Sequence, residues 1–471
     1  MRRIILPAAL ALGLVLSTLG TATAQTAAQP PAFPFGSHGP SPSDNVVLAH
    51  NDAFLSAVRA HTDPPPLVAW KMTVLNTAIY DAWAAYHARA TPVVAAGWSR
   101  QTGPAVDRIE AMNQAALAAA TLLYPNSVSA FETRAARIRA NHGTGSPDAQ
   151  AFGAAVGRAA YDARVDDLQY ANNSGGTPPD LSNPFAWRPL AGQPANGLFP
   201  RWRSVRPFGL PDDWQNTAPY TPDGPAIRNA TTYYSQQTAD IVLKAQNLTN
   251  RQKAMAIYWA DGPRSETPPG HWNMIAQTVS RARKHTLDKD VELFLTLSAG
   301  LLDAGIASWN LKYVYTWTRP TTLIWHQYAG KTVRLWDGKP RSGQQWASYI
   351  PTPPFPEYTS GHSTFSGAAA RVLRNVTATD ALPAGLQVIV PKGSHPRQLT
   401  PEVPMVTASD RTTMDTMLSW SSYSAMARDA GLSRLLGGIH FTDADVEGRS
   451  SGDAVGAAAY TKVRAHLNGT T

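Results

Sequence analysis

Three short stretches of the sequence carry residue types that together can hold a small oxyanion and act on it. The first is Lys312-Tyr-Val-Tyr-Thr-Trp-Thr-Arg319-Pro320. The seven-residue spacing of Lys312 and Arg319 would put both cations within about 20° of each other on one helix face, two turns apart. Pro320 would then end that helix. Like charges on one face cost energy unless an anion lies between them; two solvated basic residues are the plainer alternative. The second stretch is Tyr358-Thr359-Ser360-Gly361-His362-Ser363, ahead of the helix-like run 365–373. Ser360 reads as an N-cap, and the N–H groups of Gly361 and His362 at the helix start would make an anion site. Gly361 lets an anion approach the backbone closely, and His362 stands beside it as an acid or base. The alternative is an ordinary capped helix with a surface histidine. The third stretch runs from Ser433-Arg434 through Gly437-Gly438 to His440 and on to Asp443-Ala444-Asp445. Arg434 has five donors suited to a tetrahedral oxyanion. His440, in a Gly-rich apolar setting, is a ligand or a core histidine.

The chain around these stretches has 471 residues, 43% of them hydrophobic and 16% charged, enough for a large core and too apolar for a disordered chain. It has no cysteine, which excludes thiolate metal sites, Fe–S clusters, cysteine nucleophiles and disulfide scaffolds. The net charge of +8 is not gathered into a basic run, so nucleic acid is not the expected partner; a pocket for an oxyanion is another use for surplus cations. Arg2-Arg3, the apolar stretch Ile4–Leu19 and Ala22-Thr23-Ala24 read as a signal peptide over 1–24. Residues 25–44 read as a Pro-rich arm. No membrane span is expected in the mature chain, and the expected location is secreted or periplasmic.

Spacings of three and four predict helices over 46–61, 66–90, 105–123, 126–141 and 147–166, then over 229–245, 249–260, 268–283, 287–317, 363–376, 408–431 and 443–466. Between the two series lies the Pro- and Trp-rich stretch 171–226, expected to be an ordered wrap. Residues 321–359 and 379–406 read as irregular, with a short strand over 386–390. No strand–helix alternation is present, so the expected class is all-α, in an N-terminal half over about 45–226 and a C-terminal half over about 227–471.

The order Lys-x6-Arg-Pro, then Ser-Gly-His, then Ser-Arg-x5-His resembles the three-part signature of the vanadium-dependent haloperoxidases and type 2 phosphatidic acid phosphatases. The segments around Asn51 and Asp81, 257–273 and 437–452 are similar to the soluble bacterial haloperoxidase-like branch. The resemblance implies two four-helix-bundle halves with long Pro- and aromatic-rich loops. It implies that Lys312, Arg319, Ser360, Gly361 and Arg434 cradle vanadate, that His440 binds the vanadium, and that His362 is the acid–base residue, with Lys312 polarising bound peroxide. Hydrogen peroxide, a halide and a small organic acceptor would be the partners. In the phosphatases the position of His440 is the nucleophile, so a soluble acid phosphatase is the alternative. Trp309 and Phe355 match aromatic positions of the chloride-oxidising members; ordinary core packing also accounts for them.

Two departures stand out. Thr359 replaces the usual proline before Ser360, and Ala444 stands where many members have an aspartate. Asp445 is then a candidate to orient His440 or another site group. Asp261, in Trp259-Ala-Asp261-Gly-Pro, is a candidate partner for Arg434 or a simple turn residue. Gly448-Arg-Ser450-Ser-Gly452 mimics a serine-hydrolase elbow, but glycines recurring every four residues fit close helix packing better.

Overall fold

Capping residues mark where the chain enters its helices. Asn45 accepts from Val47 and Leu48 N–H to start α1 (Val46–Ala60), and Pro65 opens α2 (Pro65–Ala85). Then follow α3 (Ala105–Leu123), α4 (Val128–His142) and α5 (Pro147–Asp162), the last capped by Ser146. The second series is α6 (Ala230–Lys244), α7 (Asn250–Tyr258), α8 (Thr267–Arg283), α9 (Leu287–Tyr315), α10 (Pro320–Gln327), α11 (Gly361–Thr377), α12 (Tyr423–Leu436) and α13 (Thr442–Asn468). The structure, a computed structural model, describes residues 45–176, 180–224, 230–383, 387–395 and 407–471. The expected signal peptide and Pro-rich arm lie outside the described residues, as does Leu386 at the start of the expected strand.

Among the described residues the protein is all-α apart from two small antiparallel ribbons, β1 (Thr332–Arg334) with β2 (Pro340–Ser342), and β3 (Gln387–Val390) with β4 (Thr416–Ser419). The helix expected over 408–431 forms only from Tyr423, as α12. Its first part pairs as β4 with β3, burying Val388, Val390 and Leu418 on one face, and Ser422 caps α12 only afterwards. Alternation with a period of two, hidden among polar residues, won there over the helical spacing.

Helices α2 to α5 pack together, α11 to α13 pack together, and α9 touches α2 on one side and α11 and α13 on the other. By length and composition α9 is apolar enough to cross a membrane, but its apolar window is wholly buried in this core. Backbone contact between helices is set by glycine. A Cβ on Gly452 would lie 2.2 Å from the Thr364 carbonyl oxygen, and one on Gly367 would lie 2.4 Å from that of Arg449. This seats α13 directly on α11, and with it the two histidine-bearing stretches; the serine-hydrolase likeness of Gly448–Gly452 is helix packing. On the other side Gly153 and Gly157 let α5 reach the α3 backbone in the same way.

A buried amide cluster ties the two series together: Asn51 (α1) and Asn76 (α2) exchange hydrogen bonds, Asn273 (α8) donates to Asn51 at 2.7 Å, and Asn76 donates to Ser298 (α9) at 2.9 Å. Residues 180–224 form an ordered wrap: Trp187, Trp202 and Trp214 are buried, and the Asp303 carboxylate on α9 accepts N–H bonds from Phe208, Gly209 and Leu210.

Candidate active site

The Lys312–Arg319 spacing does not act through one helix. Thr316, in the left-handed region with φ 46°, caps α9, so Lys312 sits in its last turn. Arg319 is the residue before Pro320, which opens α10. The two cations meet through the loop that follows: Lys312 Nζ donates to the carbonyls of Pro356 and Glu357 at 3.1 Å and to that of Thr359, while Arg319 donates to Phe355 O at 2.9 Å and Pro356 O at 3.3 Å. Segment 355–359 is thus threaded between them, and the Tyr358–Thr359 peptide within it is cis. Trp309 and Phe355 flank the pair with ring centroids 4.9 Å apart, and Lys312 Nζ lies 5.1 Å from the Phe355 centroid. The wrap closes over this wall, with Leu198 O accepting from Trp309 Nε1 at 3.1 Å.

Ser360 caps α11 as expected, its hydroxyl accepting from Ser363 N–H at 3.3 Å. Gly361 is the first helical residue, and a Cβ there would touch Trp309 at 3.4 Å. Arg434, in the last turn of α12, is 1% exposed and, among the described residues, has long bonds of 3.3 and 3.5 Å to the carbonyls of Ala256 and Ala260 besides one to Ser433. Burial pushes its pKa down to about 9, with Asp261 resisting. Burial, then Arg319, pushes Lys312 well below the usual lysine range. Three cations, all about 1% exposed or less, are therefore held in low dielectric with little anion to balance them.

His440 occupies the turn between α12 and α13. Its Nε2 is 3.0 Å from Arg319 Nη1, and its Nδ1 is 2.7 Å from Glu357 Oε1. Arginine only donates, so Nε2 carries the lone pair and Nδ1 the proton. Glu357 Oε1 also accepts from Phe441 N–H at 2.9 Å. Glu357 is fully buried, and burial pushes its pKa up to about 8 against the pull of Arg319 and Lys312. Burial, Arg319 and Lys312 push His440 well below the usual histidine range, which keeps the ring neutral.

Glu357 was missed in the sequence. Its only signal was a carboxylate three residues before Ser360, on a loop without periodicity. Asp445 does not reach His440: it accepts from Ser363 Oγ at 2.8 Å and pairs with Arg449 at 2.9 Å, pinning α13 to α11. Asp261 pairs with histidines rather than Arg434, its Oδ1 2.9 Å from His271 Nδ1 and its Oδ2 3.6 Å from His362 Nε2. Burial and Arg434 push His362 well below the histidine range.

The structure thus gathers Lys312, Arg319, Arg434, the α11 N-terminus, His362 and His440 around one buried cationic locus on a helical frame. The C-terminal part of the chain is similar to the superfamily of vanadium-dependent haloperoxidases and type 2 phosphatidic acid phosphatases. Residues 292–469 match the family model of the VCPO second helical-bundle domain. A 156-residue stretch, 28% of this chain, is 31% identical to vanadium chloroperoxidase of Curvularia inaequalis and spans 24% of that protein. In fold the chain is similar to a holo-type bacterial vanadium-dependent chloroperoxidase, at 19% identity and a TM-score of 0.74 over 90% of this chain and 98% of that one. A bacterial vanadium-dependent iodoperoxidase gives 22% identity and a TM-score of 0.69 over 88% and 96%.

Proposed function

We propose that this protein is a vanadium-dependent haloperoxidase that uses hydrogen peroxide to oxidise chloride or bromide to a hypohalous-acid-type species, which halogenates small organic acceptors. The observation that carries this reading is His440, a neutral imidazole with its Nε2 lone pair fixed beside Arg319 by the Nδ1–H bond to Glu357. The donor set fits vanadate. Lys312, Arg319, Arg434, Ser360 and the Gly361 N–H would hold its oxygens, and His440 Nε2 would bind the metal. When bound, vanadate supplies a Lewis acid that activates peroxide toward halide without changing its own redox state. The protein's own work is positional and electrostatic. An arriving anion relieves the repulsion among the three buried cations and favours the charged form of Lys312. Glu357 keeps His440 in the ligating tautomer. Trp309 and Phe355 exclude water beside Lys312, which favours a desolvated halide and supports chloride use. His362 holds and returns the proton. Export of the protein rests on the sequence of residues 1–24.

A phosphate ester has the same tetrahedral anionic shape, and a histidine with a carboxylate behind Nδ1 is also a competent nucleophile. The Glu357–His440 pair therefore favours acid phosphatase as the second reading. Diketone halogenation by metal-free protein with peroxide and bromide or chloride, with and without orthovanadate, separates the two. Activity that appears only with vanadate upholds the haloperoxidase. Cleavage of a chromogenic phosphate ester that vanadate inhibits, without halogenation, replaces it with the phosphatase.

A further inference from the structure

Behind His362 stands a second histidine. His271, in the first turns of α8, has its Nδ1 2.9 Å from Asp261 Oδ1, and the other oxygen of that carboxylate, Oδ2, lies 3.6 Å from His362 Nε2. Asp261 sits at φ 46°, in the left-handed region, so its backbone turns to aim the carboxylate between the two rings. The His271 ring is locked: it stacks on Trp259 with centroids 4.6 Å apart and meets Tyr258 edge-on at 4.7 Å. His271 and Asp261 have side chains only 4% and 5% exposed. His362 Nε2 and Asp261 Oδ2 are both buried, and neither has a hydrogen-bond partner among the described residues. The other side of the His362 ring bonds the Trp259 backbone carbonyl.

A carbonyl and a carboxylate oxygen only accept, so His362 faces an acceptor at each ring nitrogen. A neutral imidazole has one N–H to give, and a protonated one has two. The second proton is therefore the missing piece of this geometry. We propose that His271 is a positioning residue: it grips Asp261 through Oδ1, so that Oδ2 stays aimed at His362 Nε2 and the proton taken up by His362 is held between two acceptors. This rests on the reading of His362 as the proton-transfer residue. The groups that oppose the proton come from every neighbouring element: Arg434 of α12, Lys312 of α9, His440 before α13, and His271 itself were it charged. His271 acts through the Nδ1–H bond it donates to Asp261 Oδ1. Without it the Asp261 carboxylate is free to rotate away, and the cations dominate.

The test uses the metal-free full chain with ring-nitrogen NMR of His362 across its titration. His271→Phe keeps the stack on Trp259 and removes the donor; proton binding at His362 is expected to weaken about tenfold. His271→Asn places an amide N–H where Nδ1 stood and is expected to restore it to within about threefold. Asp261→Ala, which removes the acceptor, is expected to repeat the loss seen with Phe. In the vanadate-loaded enzyme the pH limb of kcat moves with the NMR value while the bromide KM stays put. An unchanged His362 titration in a natively folded His271→Phe protein, or an Asn variant no better than Phe, overturns the proposal. If the loaded wild type fails to halogenate, the NMR result still decides the role of His271, and the failure belongs to the proposed function.

Discussion

Glu357 is the residue on which vanadate binding is expected to turn, although it touches no oxyanion. Its Oε1 accepts from both His440 Nδ1–H at 2.7 Å and Phe441 N–H at 2.9 Å, in full burial. Glu357→Ala leaves two buried donors unpaired. At ~1–3 kcal/mol each, that costs roughly 2–6 kcal/mol of folding stability. For binding, loss of the partner behind a ligating histidine weakens metal affinity about 10–100-fold, or roughly 1.4–2.7 kcal/mol. Glu357→Gln keeps an oxygen in place of Oε1, so both hydrogen bonds and the His440 tautomer survive. Calorimetric titration of metal-free protein with orthovanadate measures the affinities, and thermal denaturation measures the stabilities. The expected order is wild type near Gln, with Ala weaker by at least about tenfold. A natively folded Ala variant that binds as tightly as wild type, or a Gln variant as weak as Ala, refutes the claim that Glu357 acts by fixing the tautomer of His440.

His440→Ala is expected to abolish tight vanadate binding, whereas His362→Ala keeps it and loses turnover; equal vanadate affinity in wild type and His440→Ala removes the ligand assignment. Gly452→Ala drives a Cβ to within 2.2 Å of Thr364 O, and is expected to lower stability by about 1–3 kcal/mol or more and to weaken vanadate binding, since α11 begins at the Ser360–Gly361 turn and α13 follows directly on the His440 turn. An unchanged melting temperature would show that the helices can part at no cost. His50, buried with Nε2 on Asn113 Oδ1, has its pKa pushed down by burial to about 4. The unfolded chain binds that proton at about 6.5 and the folded one does not, so stability falls as pH drops from about 6.5 to 4, by roughly 3 kcal/mol in all. His50→Gln, which keeps a donor toward Asn113, is expected to flatten that part of the stability-against-pH curve, and an unaltered slope counts against the assignment.

Much of the site was legible in one dimension because helix starts, spacing and residue chemistry are local. Ser360 caps α11 as its type and the run behind it demanded. Asn-, Ser- and Pro-marked starts placed most helices within a few residues. The three ordered stretches named the cations and both histidines, and the absence of strand alternation gave an all-α protein. Pairings between loops were not legible, because a carboxylate carries no sign of which partner the folded chain will bring to it. Glu357 meets His440 across 83 residues of sequence. Asp445 goes to Ser363 and Arg449 because the glycines of α13 press it against α11. Lys312 and Arg319 were expected to share a helix face, and instead converge because the helix breaks at Thr316 and segment 355–359 passes between them. The sequence by itself determined the candidate groups for an oxyanion and most of the helices around them. Only tertiary packing decided which carboxylate stands behind which histidine, since in a buried, low-dielectric site each charge and lone pair takes the partner that the converging backbones leave within reach.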